Sequence, residues 1–208
     1  MEVTMNTEKM IQTSRKLDTF FKGLRKIIVI GMSVAILIMA AITVIYFIDP
    51  SSVIGEDFHM IDIGPLTIEL APQHAPDNGT ILVYSWSLIA LGTFCAAIIY
   101  YAIGLLRKIL QPMTQGQPFA PSVGNDIKRM SFVCLALGIA QNIANVLDTT
   151  NAIRAYQLAD LASNEHILSI TANYTLDITF LIFFFILLLL SYIFRYGSEL
   201  QQLSDETL

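Results

Sequence analysis

The chain has 208 residues, of which 54% are hydrophobic and only 14% charged, where an average soluble domain carries about a quarter. That balance excludes an ordinary soluble domain and leaves room for one small membrane bundle with no separate soluble part. The formal net charge of −5 describes no single surface, because acidic and basic residues are segregated along the chain.

Residues 1–26 are polar and basic, and no small-residue cleavage site follows the apolar run after them, so they are not read as a cleaved leader. Within them, Leu17, Phe20, Phe21, Leu24 and Ile28 recur at helical spacing, with Arg15, Lys22 and Lys26 on the opposite side. This predicts an interfacial amphipathic helix, either an anchor on anionic lipid or a docking surface for a cytoplasmic partner. A spanning helix needs about 20 apolar residues, each adding roughly 1.5 Å across a core about 30 Å thick. Residues 27–48 meet that need and close on Asp49-Pro50. The outer connection 49–80 is too long for a turn. In it Ile61 and Ile63 precede Gly64-Pro65, and Leu66, Ile68 and Leu70 alternate with Thr67 and Glu69. Period-two alternation around Gly-Pro predicts a short hairpin, which has to pack on something because an isolated hairpin is marginal.

The second span covers 81–106 and closes on Arg107-Lys108. In the connection 107–129, Pro112, Pro118 and Pro121 each interrupt regular structure, and Gly116 permits a positive φ. A defined non-helical loop is expected, with Phe119 projecting to plug the end of the bundle or to meet a partner. Ser122 or Asn125 is expected to cap the third helix. The third span, 130–148, is weaker. It carries Gln141, Asn142 and Asn145, with Gln141, Asn145 and Asp148 on one face. Such residues serve as interhelical glue or line a transport path. The connection 149–172 reads as a short amphipathic helix through Ala152, Tyr156, Leu158 and Leu161. The fourth span, 173–195, leads into the tail 196–208. There Tyr196, Leu200 and Leu203 share one face, while Glu199, Asp205 and Glu206 add negative charge. The tail can fold back on the basic N-terminal helix or bind a basic partner. Gly31/Ala35 and Gly92/Ala96 would let helices approach closely, within one chain or between copies in a homo-oligomer.

Eleven of the twelve basic residues fall in 1–26, in 107–129 or at Arg195; the other is Arg154. The outer connections and their edges carry ten acidic residues. By the positive-inside rule both termini and the middle connection are cytoplasmic, which requires an even number of crossings and supports the third span. The expected fold is an all-α membrane protein, a four-transmembrane-helix bundle with a small extracytoplasmic β-hairpin.

Catalytic patterns are missing. His59, His74 and His166 lack metal-ligand spacing, and Cys95 and Cys134 sit in apolar runs as packing residues. No phosphate loop, dinucleotide fingerprint or nucleic-acid motif occurs. Asn78-Gly-Thr and Asn173-Tyr-Thr match the short glycosylation pattern. Neither enzyme activity, a cofactor, a metal nor direct nucleic-acid contact is therefore expected. No charged residue falls at mid-membrane depth, which counts against a small-molecule, ion or lipid-handling permease.

Leu106-Arg-Lys-Ile-Leu with Gly116-Gln-Pro-Phe119, and Phe194-Arg-Tyr-Gly-Ser-Glu-Leu-Gln with Ser204-Asp-Glu-Thr-Leu208, resemble the loop and tail signatures of the DUF2975 family of bacterial membrane proteins. The resemblance covers most of the chain, is most specific in the tail and departs at the amide-rich third helix. It implies a four-helix protein of the bacterial cytoplasmic membrane without enzyme activity. Members are often encoded beside a small helix-turn-helix DNA-binding protein. That implies, by association, a membrane partner that binds or sequesters such a regulator. Gly116, Pro118, Phe119, Tyr196, Glu199, Leu200, Asp205 and Glu206 would then form the partner-binding surface.

A reporter domain fused after Leu208 is expected to be active in the cytoplasm. Activity on the outer side would refute the charge reading.

Overall fold

A computed structural model describes residues 2–49, 60–63, 66–69, 78–155 and 176–206. Its helices are α1 (Glu2–Ile48), α2 (Asn78–Thr114), α3 (Pro121–Ala155) and α4 (Thr179–Glu206). Between α1 and α2, Met60–Ile63 (β1) pairs antiparallel with Leu66–Glu69 (β2), with Ile63 opposite Leu66 and Met60 opposite Glu69. Each of the four helices contains a segment long and apolar enough to cross a membrane: Glu8–Ile48, Gly79–Thr114, Pro121–Asn151 and Thr179–Ser204. Large apolar side chains such as Ile30, Leu37, Phe183 and Leu189 stay exposed along them, a surface that suits hydrocarbon rather than water.

The helices outrun the spans read from composition. At roughly 1.5 Å per residue, the 47 residues of α1 extend about 70 Å, more than twice the hydrocarbon thickness. Residues 2–26 are therefore one piece with the first span. The expected loop 107–129 shrinks to residues 115–120. Pro112 does not break α2; it lies in the last helical turn, and its carbonyl accepts hydrogen bonds from the amides of Gln115 (3.0 Å) and Gln117 (3.0 Å). Pro121 opens α3, at the helical position where a missing amide proton costs nothing. Ser122 and Asn125 are thus inside α3 rather than caps; the amide of Val123 bonds to the carbonyl of Ala120 at 3.0 Å. Gly116 has φ 79°, the left-handed turn that glycine alone adopts without a Cβ penalty. α3 runs unbroken to Ala155, so 149–155 continues it instead of starting a new helix, and the Thr149 and Thr150 hydroxyls donate back to the carbonyls of Asn145 (2.8 Å) and Val146 (2.7 Å). At the start of α4, the Thr179 amide donates to the Asp177 carboxylate at 2.8 Å, an N-cap that begins the helix later than residue 173. The tail extends α4 without a break to Glu206 and does not turn back on α1. Tyr156, Leu158, Leu161, Leu70, Gly64, Pro65 and the three histidines lie outside the described residues.

The chain divides into two compact units. One comprises Met1–Gly31, Phe94–Asn142 and Leu176–Leu208; the other comprises Met32–Thr93 and Ile143–Thr175. In the first unit α3 and α4 meet through small residues. Gly124, Ser131 and Gly138 recur every seven positions on α3, the spacing that keeps one face on a partner helix. A Cβ at Gly124 would lie 3.2 Å from the Ser191 carbonyl oxygen and 3.3 Å from the Arg195 amide nitrogen. A Cβ at Gly138 would collide with the base of the Phe180 ring. Ser131, fully buried, is satisfied by donating to the Lys128 carbonyl at 2.7 Å. The Phe132 and Phe184 rings meet edge to face at 5.6 Å along the same pair. Gly31 and Gly92, expected to mediate close contacts, instead face open space, with nothing within 4 Å of an added Cβ.

In detergent, Gly138→Ala is expected to destabilise the protein by about 1–3 kcal/mol through overpacking. Gly92→Ala should be neutral or stabilise by up to about 1 kcal/mol through helix propensity. Mixed-micelle unfolding followed by helical circular dichroism measures both. Equal effects would contradict the close α3–α4 approach.

Candidate functional site

The distinctive side chains of the first unit gather in two clusters. The first is a charged clasp between the N-terminal part of α1 and the C-terminal part of α2. The Arg107 Nε donates to Asp18 Oδ1 at 2.7 Å, and Lys22 Nζ lies 2.8 Å from Asp18 Oδ2. The Asp18 and Arg107 side chains are about a quarter exposed, so the pair is only partly screened by water. Two helical turns on, the Arg25 guanidinium carbon lies 4.0 Å from the centroid of the Tyr100 ring, stacked on its face.

This clasp sets which face of α1 packs. Ser14 is buried, and Asp18, Phe21, Arg25 and Ile28 follow it at heptad spacing, all at least half buried. Leu17 and Phe20, placed on the packed face by hydrophobic spacing, are exposed. The face is turned because the charged hydrogen bonds to α2 fix its orientation, leaving one aliphatic side chain and one ring that lipid or an interface can cover. Sequence reading missed Asp18, Arg25 and Tyr100, since a face mixing serine, aspartate, phenylalanine and arginine reads as neither apolar nor polar.

The second cluster joins the connector to the tail. Gly116 turns the chain by its positive φ, and Phe119 three residues on lies against α4. The Phe119 ring contacts the Phe194 ring at 5.6 Å, and its edge rests on Gly197, where a Cβ would lie 2.8 Å from Cδ1. Ser191 and Ser198 are buried beside this contact on the same face of α4. Phe119 nevertheless keeps 41% of its surface exposed, so it both seals the helix end and remains available. Beyond it Tyr196, Leu200 and Leu203 are exposed along α4. Glu199 lies 3.5 Å from Arg195 on its own helix, Glu206 is exposed, and the Asp205 side chain lies outside the described ones.

The polar positions of α3 divide differently from the expected stripe. Gln141 and Asn145 are exposed. The residue that bonds to the chain before α4 is Asn142. Its Nδ2 donates to the carbonyls of Gly138 and Asp177, both at 2.9 Å, and its Oδ1 accepts from the Asp177 amide at 2.9 Å. Polarity alone marks 141, 142 and 145 alike; only the neighbouring chain selects among them. In the second unit, Asp148 accepts from the Tyr84 hydroxyl at 2.9 Å, Asn151 donates to Ser87 at 3.3 Å, and the Trp86 indole donates to Thr43 at 2.9 Å. These bonds satisfy polar groups between helices. Among the described residues, no three His, Cys, Asp or Glu side chains come together as metal ligands.

Asp18→Asn is expected to cost the α1–α2 contact about 1–2 kcal/mol. Hydrogen exchange of the amides around residues 14–22 should then be roughly fivefold to thirtyfold faster. Unchanged exchange would mean that the clasp holds nothing.

No family model, curated protein or solved structure matches the chain.

Proposed function

We propose that the chain is a non-enzymatic protein of the bacterial cytoplasmic membrane. In this reading both ends are cytoplasmic, the hairpin lies outside, and the loop-and-tail surface binds a small helix-turn-helix regulator and holds it at the membrane. The observation that carries this reading is the seat of Phe119 on Phe194 and Gly197. It joins the connector and the tail, the two stretches that resemble the DUF2975 family, into one continuous surface. The N-terminal segment belongs to the same compact unit, so all three basic or acidic cytoplasmic pieces are supported by one packing core. Tyr196, Leu200 and Leu203 supply an exposed apolar strip with Glu199 and Glu206 along it. A strip of that kind suits a partner helix of basic character, with aromatic and aliphatic anchors contributing most and the carboxylates setting orientation. DNA-binding helices are basic, so occupation of such a surface would compete with operator binding.

The permease-like alternative gains no support. Asp148 is already hydrogen-bonded to Tyr84, and the Asn145 side chain is exposed on its helix.

Tagged full-length protein solubilised in mild detergent is expected to copurify a small helix-turn-helix protein, identified by mass spectrometry. Tyr196→Ser with Leu200→Ser should lower its recovery by at least about tenfold. Gly197→Val, which dislodges Phe119, should do the same. Full recovery with both variants would remove the loop-and-tail surface from the model, and recovery of no such protein would remove the regulator.

A further inference from the structure

The charged clasp borders a cavity of about 510 Å³, lined by Lys22, Arg25, Lys26 and Arg107 together with Tyr100, Val29 and Ile30. Its charges do not cancel. Asp18 binds both Lys22 and Arg107, while Arg25 and Lys26 have no carboxylate partner among the described residues. Arg25 is committed to the cavity by its stack on Tyr100, and its Nε is buried without a hydrogen-bond partner. Stacking occupies the face of a guanidinium and leaves its in-plane N–H groups directed outward, the arrangement that matches phosphate oxygens. Along α1 the cations at 22, 25 and 26 are followed one turn later by Val29 and Ile30, where the long apolar run begins. The cavity thus passes from cationic to apolar along the same helix.

A free, fully hydrated anion would gain nothing from the apolar part, and a zwitterionic lipid would bring a headgroup cation against the unpaired cations, offsetting the attraction of its phosphate. The geometry points to a binding site for the phosphate of an anionic phospholipid. Arg25 and Lys26 hold the phosphate, Lys22 and Arg107 are positioned around it by Asp18, and Val29, Ile30 and Tyr100 meet the first part of the acyl chains. Basic pockets between helices at the cytoplasmic boundary recognise lipid headgroups in this way. The site needs no protein partner, so it stands or falls apart from the regulator.

The full-length protein is exchanged into detergent micelles containing phosphatidylglycerol or phosphatidylcholine at equal mole fraction, and retained lipid is counted by native mass spectrometry. Preferential retention of phosphatidylglycerol is expected, falling about fivefold for each cation removed in Arg25→Gln and Lys26→Gln. Lys26→Gln alone, at an exposed position, serves if the double variant loses its helical circular dichroism. Lys9→Gln with Lys16→Gln removes equal charge outside the cavity and should leave retention unchanged. Equal retention of the two lipids would overturn the proposal, as would an equal loss in the Lys9/Lys16 control. Displacement of the lipid by inorganic phosphate at matched concentration would overturn it too, by reducing the ligand to phosphate alone.

Discussion

The close backbone approach of α3 and α4 is the constraint on which the proposed site depends. In hydrocarbon there is no hydrophobic force to press helices together, so association relies on contact area and on bonds between helices. Gly124 and Gly138 supply contact by omission: each brings α4 nearer than any side chain would permit. Ser131 between them is buried at no cost in unsatisfied polarity, because its hydroxyl returns to its own helix. Asn142 secures the chain just before α4 with two hydrogen bonds to Asp177. With α3 and α4 fixed at that distance, the short connector before α3 has little freedom, and Phe119 seats on a surface that receives a flat ring closely, a glycine beside another ring.

A different kind of attachment holds α1 to α2. There the contact is polar, made by one carboxylate between two cations and by a stacked guanidinium. The two modes suit their surroundings. Small-residue packing works without water, whereas a partly exposed ion pair works where water and headgroups moderate the cost of desolvation.

Much of the architecture could be read from the sequence, because spanning imposes a length of apolar residues that few other structures need. The four runs at 27–48, 81–106, 130–148 and 173–195 each lie largely within one helix. Helix ends were less legible. Arg107 and Lys108 close the apolar run but do not end α2, since a helix whose backbone bonds are internal can continue past its apolar stretch. Proline reads as a breaker, although Pro121 opens α3 where its missing amide proton is harmless, and Pro112 falls so late in α2 that it removes a single ladder bond. The site was legible only in part. Gly116, Phe119 and the tail carried a recognisable pattern, but Asp18, Arg25 and Tyr100 pair across 75 or more positions and leave no local mark. Gly124, Ser131 and Gly138 did leave one, a seven-residue recurrence of small side chains, which polarity counts overlook.

Pro112 has a consequence for how deeply α2 sits. Lacking an amide proton, it cannot bond to the carbonyl of Lys108 four residues earlier. That oxygen lacks the i+4 donor of the helix ladder. Lipid tails offer no donor in its place, so a position at headgroup level suits it better than one in hydrocarbon. The proline acts as a waterline on the helix, and any rearrangement that drew α2 further into the membrane would have to hydrate that one carbonyl on the way.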